Sequence, residues 1–157
     1  MPALRSLVIN FQLANSVSAW SILAKAPAIP TLRQLYLDKC MMSMEEFATS
    51  VGKHCPTWTS LTINHMHLGN GTKKELGDIY ERLSQAPDIE IYRQSYFYLG
   101  VEHDKHIVMP RQVCCAFFDE REDEDGFVKV YLVDWIRWKG HGEMTRVLGV
   151  MAEHMRS

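Results

Sequence analysis

The stretch LRQLYL (residues 32–37) decides the fold, because its residues follow the order apolar-x-x-apolar-x-apolar. The same order recurs in LRSLVI (residues 4–9) and in WTSLTI (residues 58–63), and a proline lies two residues before each of the three. The first residues of the three segments are 28 positions (4 to 32) and 26 positions (32 to 58) apart. This even spacing predicts a chain of repeated units, each carrying one strand at the same place.

Each unit is predicted to contribute side chains to one shared core. The last two apolar positions of the pattern are two residues apart, so both point to the same face of a strand. Stacking such strands in parallel buries a continuous apolar ridge that no single unit could bury alone. We therefore expect Leu7, Leu35 and Leu61 to lie side by side on adjacent parallel strands.

The segments between the strands carry helix signals. Ser43 with Glu46, and Thr72 with Glu75, have the spacing of capping boxes, in which a hydroxyl and a glutamate satisfy each other's backbone amides. Apolar residues recur at helical spacing after the second box. These residues are Leu76, Ile79, Tyr80 and Leu83.

The first and fourth units carry weaker signals. A helix is predicted in the first unit over residues 15–23, capped by Asn15 or Ser16. A fourth unit would have Ile89 and Tyr92 as its first buried positions, 31 residues after Trp58 (58 to 89). The predicted unit is therefore strand, turn, helix, turn throughout.

The pattern resembles a known family. Residues 32–40, with Leu32 and Leu37 before Cys40, look like the cysteine-containing type of leucine-rich repeat, and HCP (residues 54–56) is also typical of it. SMEEF (residues 43–47), followed by a strand and a glycine-containing loop, is similar to the repeat region of fungal F-box-like proteins. The resemblance implies a short α/β leucine-rich-repeat solenoid of about three to four units over residues 1–99, with parallel strands on its concave face and helices on its convex face.

Residues 100–157 break the period and are predicted to form an irregular C-terminal cap. Residues 113–118 and 127–133 would pair as a hairpin around the acidic run DEREDED (residues 119–125), which we expect to be an exposed loop. A helix over residues 143–155 would follow. Its apolar face would be formed by Met144, Val147, Leu148 and Met151.

Composition excludes several function classes. The chain has 157 residues, 46% of them hydrophobic and 23% charged, and a net charge of -2. Without a basic excess, neither nucleic acid nor an acidic membrane surface is an expected partner. The cysteines have no Cys-x-x-Cys spacing, and we interpret them as reduced buried thiols of a cytoplasmic or nuclear protein. They are Cys40, Cys55, Cys114 and Cys115.

Catalytic and metal-binding patterns are also missing. The sequence has no Gly-x-Ser-x-Gly, no phosphate-binding glycine loop and no His-Glu-x-x-His, so we predict no catalytic residue and no cofactor. His65 with His67, and His103 with His106, are paired by spacing, but zinc needs four converging ligands and we predict no metal site. The open alternative is a small α/β enzyme with a thiol or metal site in the C-terminal third, using Cys115 with a histidine and a carboxylate.

The outward residues of the strands are the predicted binding site. In successive parallel units they lie side by side, so they form one concave surface. Tyr36 is the one large aromatic residue among them and the best candidate for a residue that dominates binding. The predicted site is Ser6, Val8, Asn10, Gln34, Tyr36, Asp38, Ser60, Thr62 and Asn64.

These expectations give a non-catalytic protein–protein interaction module. The resemblance implies the substrate-binding repeat region of an F-box-like ubiquitin-ligase receptor, whose protein substrate the sequence does not identify. An F-box of roughly 45 residues has no room before Leu4, so we expect a fragment or a relative that contacts the ligase adaptor only through a missing F-box. A fragment of an immune-receptor-type repeat array is a further alternative with the same binding physics.

Overall fold

A computed structural model describes residues 3–10, 23–99, 118–122, 128–132 and 136–157. These residues include seven strands, three helices described over their whole length and one 3-10 turn, Cys55–Thr57, and residues 23–25 are helical as well. The strands are β1 (Ser6–Asn10), β2 (Gln34–Ser43), β3 (Ser60–Gly69), β4 (Ile91–Leu99), β5 (Phe118–Glu122), β6 (Val128–Leu132) and β7 (Ile136–Lys139). The helices are α1 (Met44–His54), α2 (Lys73–Ser84) and α3 (His141–Arg156).

The main sheet has the strand order β1-β2-β3-β4-β7. The first four strands are parallel and follow the order of the chain, whereas β7 is antiparallel to β4. Leu7 pairs with Leu35, and Leu35 pairs with Leu61. This confirms the α/β class and the predicted stacking of the three leucines on adjacent parallel strands.

The core lies between the sheet and the helices. Leu35 and Leu61 are buried, and the next inward pair, Leu37 and Ile63, is buried as well. Helices α1 and α2 cover this ridge with a single apolar face each, because their buried residues join the same cluster. The buried residues of these two helices include Phe47, Val51, Leu76, Ile79, Tyr80 and Leu83.

Two left-handed residues interrupt β2 and β3 at equivalent places. Lys39 has φ 53° and His65 has φ 49°, which are unusual values for residues other than glycine. The pairing resumes one residue later, where Cys40 lies opposite Met66 and both are buried. The strands are therefore longer than the sequence pattern predicts, since pairing continues beyond the kink to Ser43.

Both predicted capping boxes are confirmed. The amide of Glu46 donates to Ser43 Oγ (3.1 Å), and the amide of Ser43 donates to Glu46 Oε2 (3.0 Å). The amide of Glu75 donates to Thr72 Oγ1 (3.2 Å), and the amide of Thr72 donates to Glu75 Oε2 (2.8 Å). Each box satisfies backbone amides that the first helical turn leaves without partners, so both helices begin where the sequence indicates.

The C-terminal strand and helix extend the same sheet and core. Strand β7 pairs with β4, and α3 packs against α2. The predicted apolar face of this helix is confirmed, because Met144, Val147, Leu148 and Met151 are buried. The predicted division of the chain at residue 99 stays a prediction.

The expectation for the acidic run is wrong in part. Residues 119–122 belong to β5, which pairs with β6 as a separate antiparallel hairpin, and they are not a loop. The predicted hairpin is present. Phe118, which the prediction placed at the end of the first strand, is where β5 begins. A two-stranded hairpin outside the main sheet can keep solvated faces, so charged residues are tolerated along it. Residues 113–117, and residues 15–22 of the predicted first helix, lie outside the described residues.

Candidate binding face

The nine predicted binding residues lie on three rungs across β1, β2 and β3. Because alternate residues of a strand face opposite sides, all nine lie opposite the buried leucine ridge, on a surface that we call the outer face. The register aligns them strand by strand. The first rung is Ser6–Gln34–Ser60, the middle rung is Val8–Tyr36–Thr62, and the third rung is Asn10–Asp38–Asn64.

The first two rungs surround an open depression with a volume of about 400 Å³. Val8 is 64% exposed at one end of it, and the partly exposed ring of Tyr36 lies beside it on the next strand. The depression therefore combines an apolar surface with hydroxyl and amide groups. Its lining is Ser6, Val8, Gln34, Leu35, Tyr36, Ser60 and Thr62.

The third rung is a hydrogen-bonded ladder around one carboxylate. Asn10 donates through Nδ2 to Asp38 Oδ2 (3.0 Å), and Asn64 donates through Nδ2 to Asp38 Oδ1 (2.6 Å). His65 Nδ1 lies 3.8 Å from the same Oδ1 atom. Hydrogen bonds to a charged acceptor are stronger than neutral ones, so this rung fixes three strands to one another.

Burial divides the predicted site residues. Asp38 and Thr62 are only 8% and 6% exposed, so neither offers much surface to a partner. The other seven (9 - 2) are exposed or partly exposed. Asp38 thus acts within the sheet, by holding Asn10 and Asn64 in place, and the surface open to a partner is centred on Val8 and Tyr36.

Sequence reasoning missed Arg93, which extends the middle rung onto β4. Its register partner is Thr62, so Arg93 continues the line from Val8 across the outer face. The side chain is partly buried, and its Nε is buried without a hydrogen-bond partner among the described residues. The sequence carries a signal for it, because Ile89 and Tyr92 match the repeat and Arg93 is the outward residue that follows, although Gln94 stands where the pattern demands an apolar residue.

Gln94 is accommodated in the core by two tyrosines. Tyr80 donates a hydrogen bond to Gln94 Oε1 (2.8 Å), and Tyr92 donates to the same oxygen. The two rings meet edge to face with centroids 6.4 Å apart. The buried amide oxygen is satisfied by two hydroxyl donors, which helps an apolar position of the repeat to hold glutamine.

The two described cysteines are buried in the core. Cys40 and Cys55 are both buried thiols, as predicted. Burial raises the pKa of the Cys55 thiol, and the nearby charge of Arg82 opposes this only in part. Cys40 donates a weak hydrogen bond to the carbonyl of Asp38 (3.2 Å), so it contributes to the kink in β2.

The residues of the alternative enzyme lie mostly outside the described part of the chain. Cys115, His103 and His106 are among the residues that the structure does not describe. His65 and His67 lie on β3, where both are partly exposed. Within the described ranges, no group of three or more histidine, cysteine, aspartate or glutamate side chains is placed to hold a metal ion.

Comparison of the chain with models of protein families, with curated proteins and with solved structures finds no match. In the part of the chain that the structure describes, no helix has the length and apolar character needed to cross a bilayer. Function must therefore be inferred from the residues and geometry of the outer face.

Proposed function

We propose that this chain is a non-catalytic protein-interaction module built from leucine-rich repeats, and that its outer face binds a protein partner. In this proposal the outer face is the concave face of a short solenoid, and α1 and α2 lie on its convex face. One observation carries the proposal: six residues chosen from the repeat pattern alone line the same open depression. They are Ser6, Val8, Gln34, Tyr36, Ser60 and Thr62.

The chemistry of the depression suits a protein ligand. Tyr36 and Val8 provide an aromatic and an aliphatic surface, and the polar side chains of the first rung lie next to them. Interfaces commonly combine apolar surface with polar groups around it, and tyrosine is enriched among the residues that dominate binding. An uncharged, partly aromatic surface of this kind favours a peptide segment over nucleic acid.

The size of the face limits the partner further. Strands lie about 4.8 Å apart, so β1 to β3 spans about 10 Å. Three rungs along the strands add about 13 Å, because every second residue advances about 6.7 Å. A stable complex of globular proteins buries about 800 Å² on each side, which is far more than this area. The outer face therefore fits a short extended segment of a partner.

The resemblance to the repeat region of fungal F-box-like proteins supports a narrower proposal. In it, the bound segment belongs to a substrate of a ubiquitin ligase, and the ligase adaptor is contacted through an F-box outside these 157 residues. The buried thiols of Cys40 and Cys55 support a location in the cytoplasm or the nucleus, where thiols stay reduced.

A capture experiment with matched variants tests the proposal. The full chain, Tyr36→Ala and Lys74→Ala are immobilised separately, and the proteins that each retains from a lysate are quantified by mass spectrometry. Lys74 is exposed on α2, on the opposite side of the sheet, and serves as the control. Loss of a dominant aromatic contact costs about 2 kcal/mol, which corresponds to about 30-fold weaker binding.

We expect a specific partner with the wild type and with Lys74→Ala, and its loss with Tyr36→Ala. Circular dichroism of each variant establishes that the fold is retained. If Tyr36→Ala keeps every partner of the wild type, the assignment of the outer face is wrong.

A further inference from the structure

Arg93 brings a positive charge to the end of the middle rung. Thr62 on β3 pairs with Arg93 on β4, so the rung runs from an exposed valine through a tyrosine to an arginine. Three strand spacings separate Val8 from Arg93, a distance of about 14 Å. An extended peptide covers that distance in about four residues.

The guanidinium of Arg93 has no acceptor of its own. A guanidinium carries five N–H donors, and none of them meets a hydrogen-bond or ion-pair partner among the described residues. The Nε atom is moreover buried, so water does not satisfy it. An external anion, like water, does not reach the buried Nε; it would instead bind the Nη groups and offset the charge of a guanidinium that pairs with no described residue.

The surrounding charges leave this end of the face positive. Asp38 is the one acidic residue of the three rungs, and its carboxylate already accepts hydrogen bonds from Asn10 and Asn64. The register of β4 and β7 places Arg137 opposite Arg93. Within the three rungs, no other carboxylate competes with an external anion for Arg93.

We infer that the partner of the outer face is an acidic peptide segment, whose Asp or Glu carboxylate binds Arg93 while an apolar side chain about four residues away covers Val8 and Tyr36. This inference rests on the proposed function, because it names the chemistry of the partner at the same face. Charge complementarity selects the carboxylate: the fork of the guanidinium matches its two oxygens. The distance from Val8 to Arg93 along the middle rung sets the spacing between the apolar and the acidic residue of the peptide.

A random dodecapeptide phage library, panned on the immobilised full chain, tests this inference. We expect the wild type to enrich peptides with Asp or Glu about four positions from a large apolar residue. Arg93→Gln should lose the acidic enrichment and keep the apolar one. Arg146→Gln provides the matched control, because Arg146 is an exposed arginine on α3 that pairs with Glu143.

Affinities of one selected peptide make the test quantitative. Arg93→Gln should weaken binding about tenfold, in keeping with the loss of one charge-assisted interaction. The affinity of Arg93→Lys for the peptide should lie between those of the wild type and Arg93→Gln, since lysine keeps the charge but lacks the forked guanidinium. Binding to the wild type should weaken as salt is added, and binding to Arg93→Gln should respond less.

The outcomes separate this inference from the proposed function. Enriched peptides that depend on Tyr36 but carry no acidic residue would overturn the inference and leave the proposed function standing. If the wild type and Tyr36→Ala select the same peptides, both fail. If a phosphoserine peptide binds more tightly than its glutamate counterpart, the inference that Arg93 binds a carboxylate is wrong. Self-association abolished by Arg93→Gln would assign the site to the acidic run of a second copy instead.

Discussion

Gly77 of α2 lies so close to Ala152 of α3 that a β-carbon at Gly77 would be 2.9 Å from the carbonyl oxygen of Ala152. The same β-carbon would be 3.0 Å from Arg156 Cγ and 3.3 Å from Met155 Cβ. The two helices thus approach closely at Gly77, which contributes no side chain of its own to the contact. Arg156 adds an ion pair to Asp78 (2.7 Å) at this contact, which joins the end of the chain to the second helix.

Gly77→Ala should therefore destabilise the protein. Alanine favours a helix over glycine by about 1 kcal/mol, but the new methyl group would collide with backbone that cannot rotate away, and overpacking costs about 1–3 kcal/mol. We expect a net loss of about 1 kcal/mol or more in the free energy of unfolding, measured by urea denaturation. Gly149→Ala on α3 is the control, because a β-carbon there meets nothing within 4 Å and should be neutral or stabilising. Equal stabilisation by both variants would show that the helices are not in close contact.

The order of the strands in the sheet was predictable because the apolar pattern that produces it recurs at regular intervals in the sequence. Leu35 and Leu61 occupy the same place in units of equal kind, and an apolar ridge forms only if their strands are adjacent and parallel. The capping boxes at Ser43 and Thr72 were predictable for a similar reason, since the partners are only three residues apart. Features that depend on residues at short or regular spacings, such as the capping boxes and the stacked strands, could therefore be predicted from the sequence.

The features that depend on the main-chain path were not predictable in this way. Nothing in the pattern indicates the left-handed backbone at Lys39 and His65, although it determines how far each strand continues. The acidic run was expected in a loop because its charge does not indicate that residues 119–122 pair with β6 as a strand. In the candidate site, the rungs followed from alternation along the strands, but the burial of Asp38 and Thr62 depends on neighbours across the sheet.

Asp38 provides a second prediction, which concerns the third rung. Asp38→Ala would leave the amides of Asn10 and Asn64 without their shared acceptor. Loss of hydrogen bonds to a buried charged group costs about 1.5–3 kcal/mol for each bond, less where water can replace the acceptor. We expect the free energy of unfolding to fall by about 2 kcal/mol in urea denaturation.

Asp88→Ala is the matched control for this measurement. Asp88 is also an aspartate in an ionic contact, 3.6 Å from Arg33, but both side chains are about half exposed. Exposed ion pairs contribute about 0–1 kcal/mol, so this variant should be close to the wild type. Similar losses for the two variants would mean that the ladder around Asp38 adds nothing beyond a surface contact.

The buried tyrosines give a prediction for alkaline pH. Burial raises the pKa of both Tyr80 and Tyr92, and for Tyr80 the hydrogen bonds to Gln94 and Tyr92 oppose this only in part. In the unfolded chain both have a pKa of about 10. Since the folded pKa is the higher one, the unfolded state loses protons first as the pH rises. The contribution of the two tyrosines to stability should be constant below about pH 10 and fall above it, by about 1.4 kcal/mol per pH unit for each tyrosine.

Tyr80→Phe isolates one of the two groups. Near neutral pH the variant should lose about 1 kcal/mol through its missing hydrogen bond to Gln94. Above about pH 10 its stability should fall less steeply than that of the wild type, by about 1.4 kcal/mol per pH unit, because one of the two tyrosines has been removed. Denaturation curves recorded at several pH values between 8 and 11 give the two slopes. Parallel slopes would mean that Tyr80 ionises equally well in the folded state.

The last prediction concerns thiol reactivity and bears on the alternative of a thiol enzyme. Because burial raises the pKa of Cys55, less of it is thiolate at neutral pH, and the thiolate is the reactive form. In a variant with Cys114→Ser and Cys115→Ser, a chromogenic disulfide reagent at pH 8 should find almost no reactive thiol in the folded protein. Two thiols should react after unfolding, because Cys40 and Cys55 are then exposed. Rapid reaction of Cys40 or Cys55 in the folded protein would contradict their role as core residues. Rapid reaction that appears only when Cys114 and Cys115 are restored would favour the alternative of a thiol enzyme.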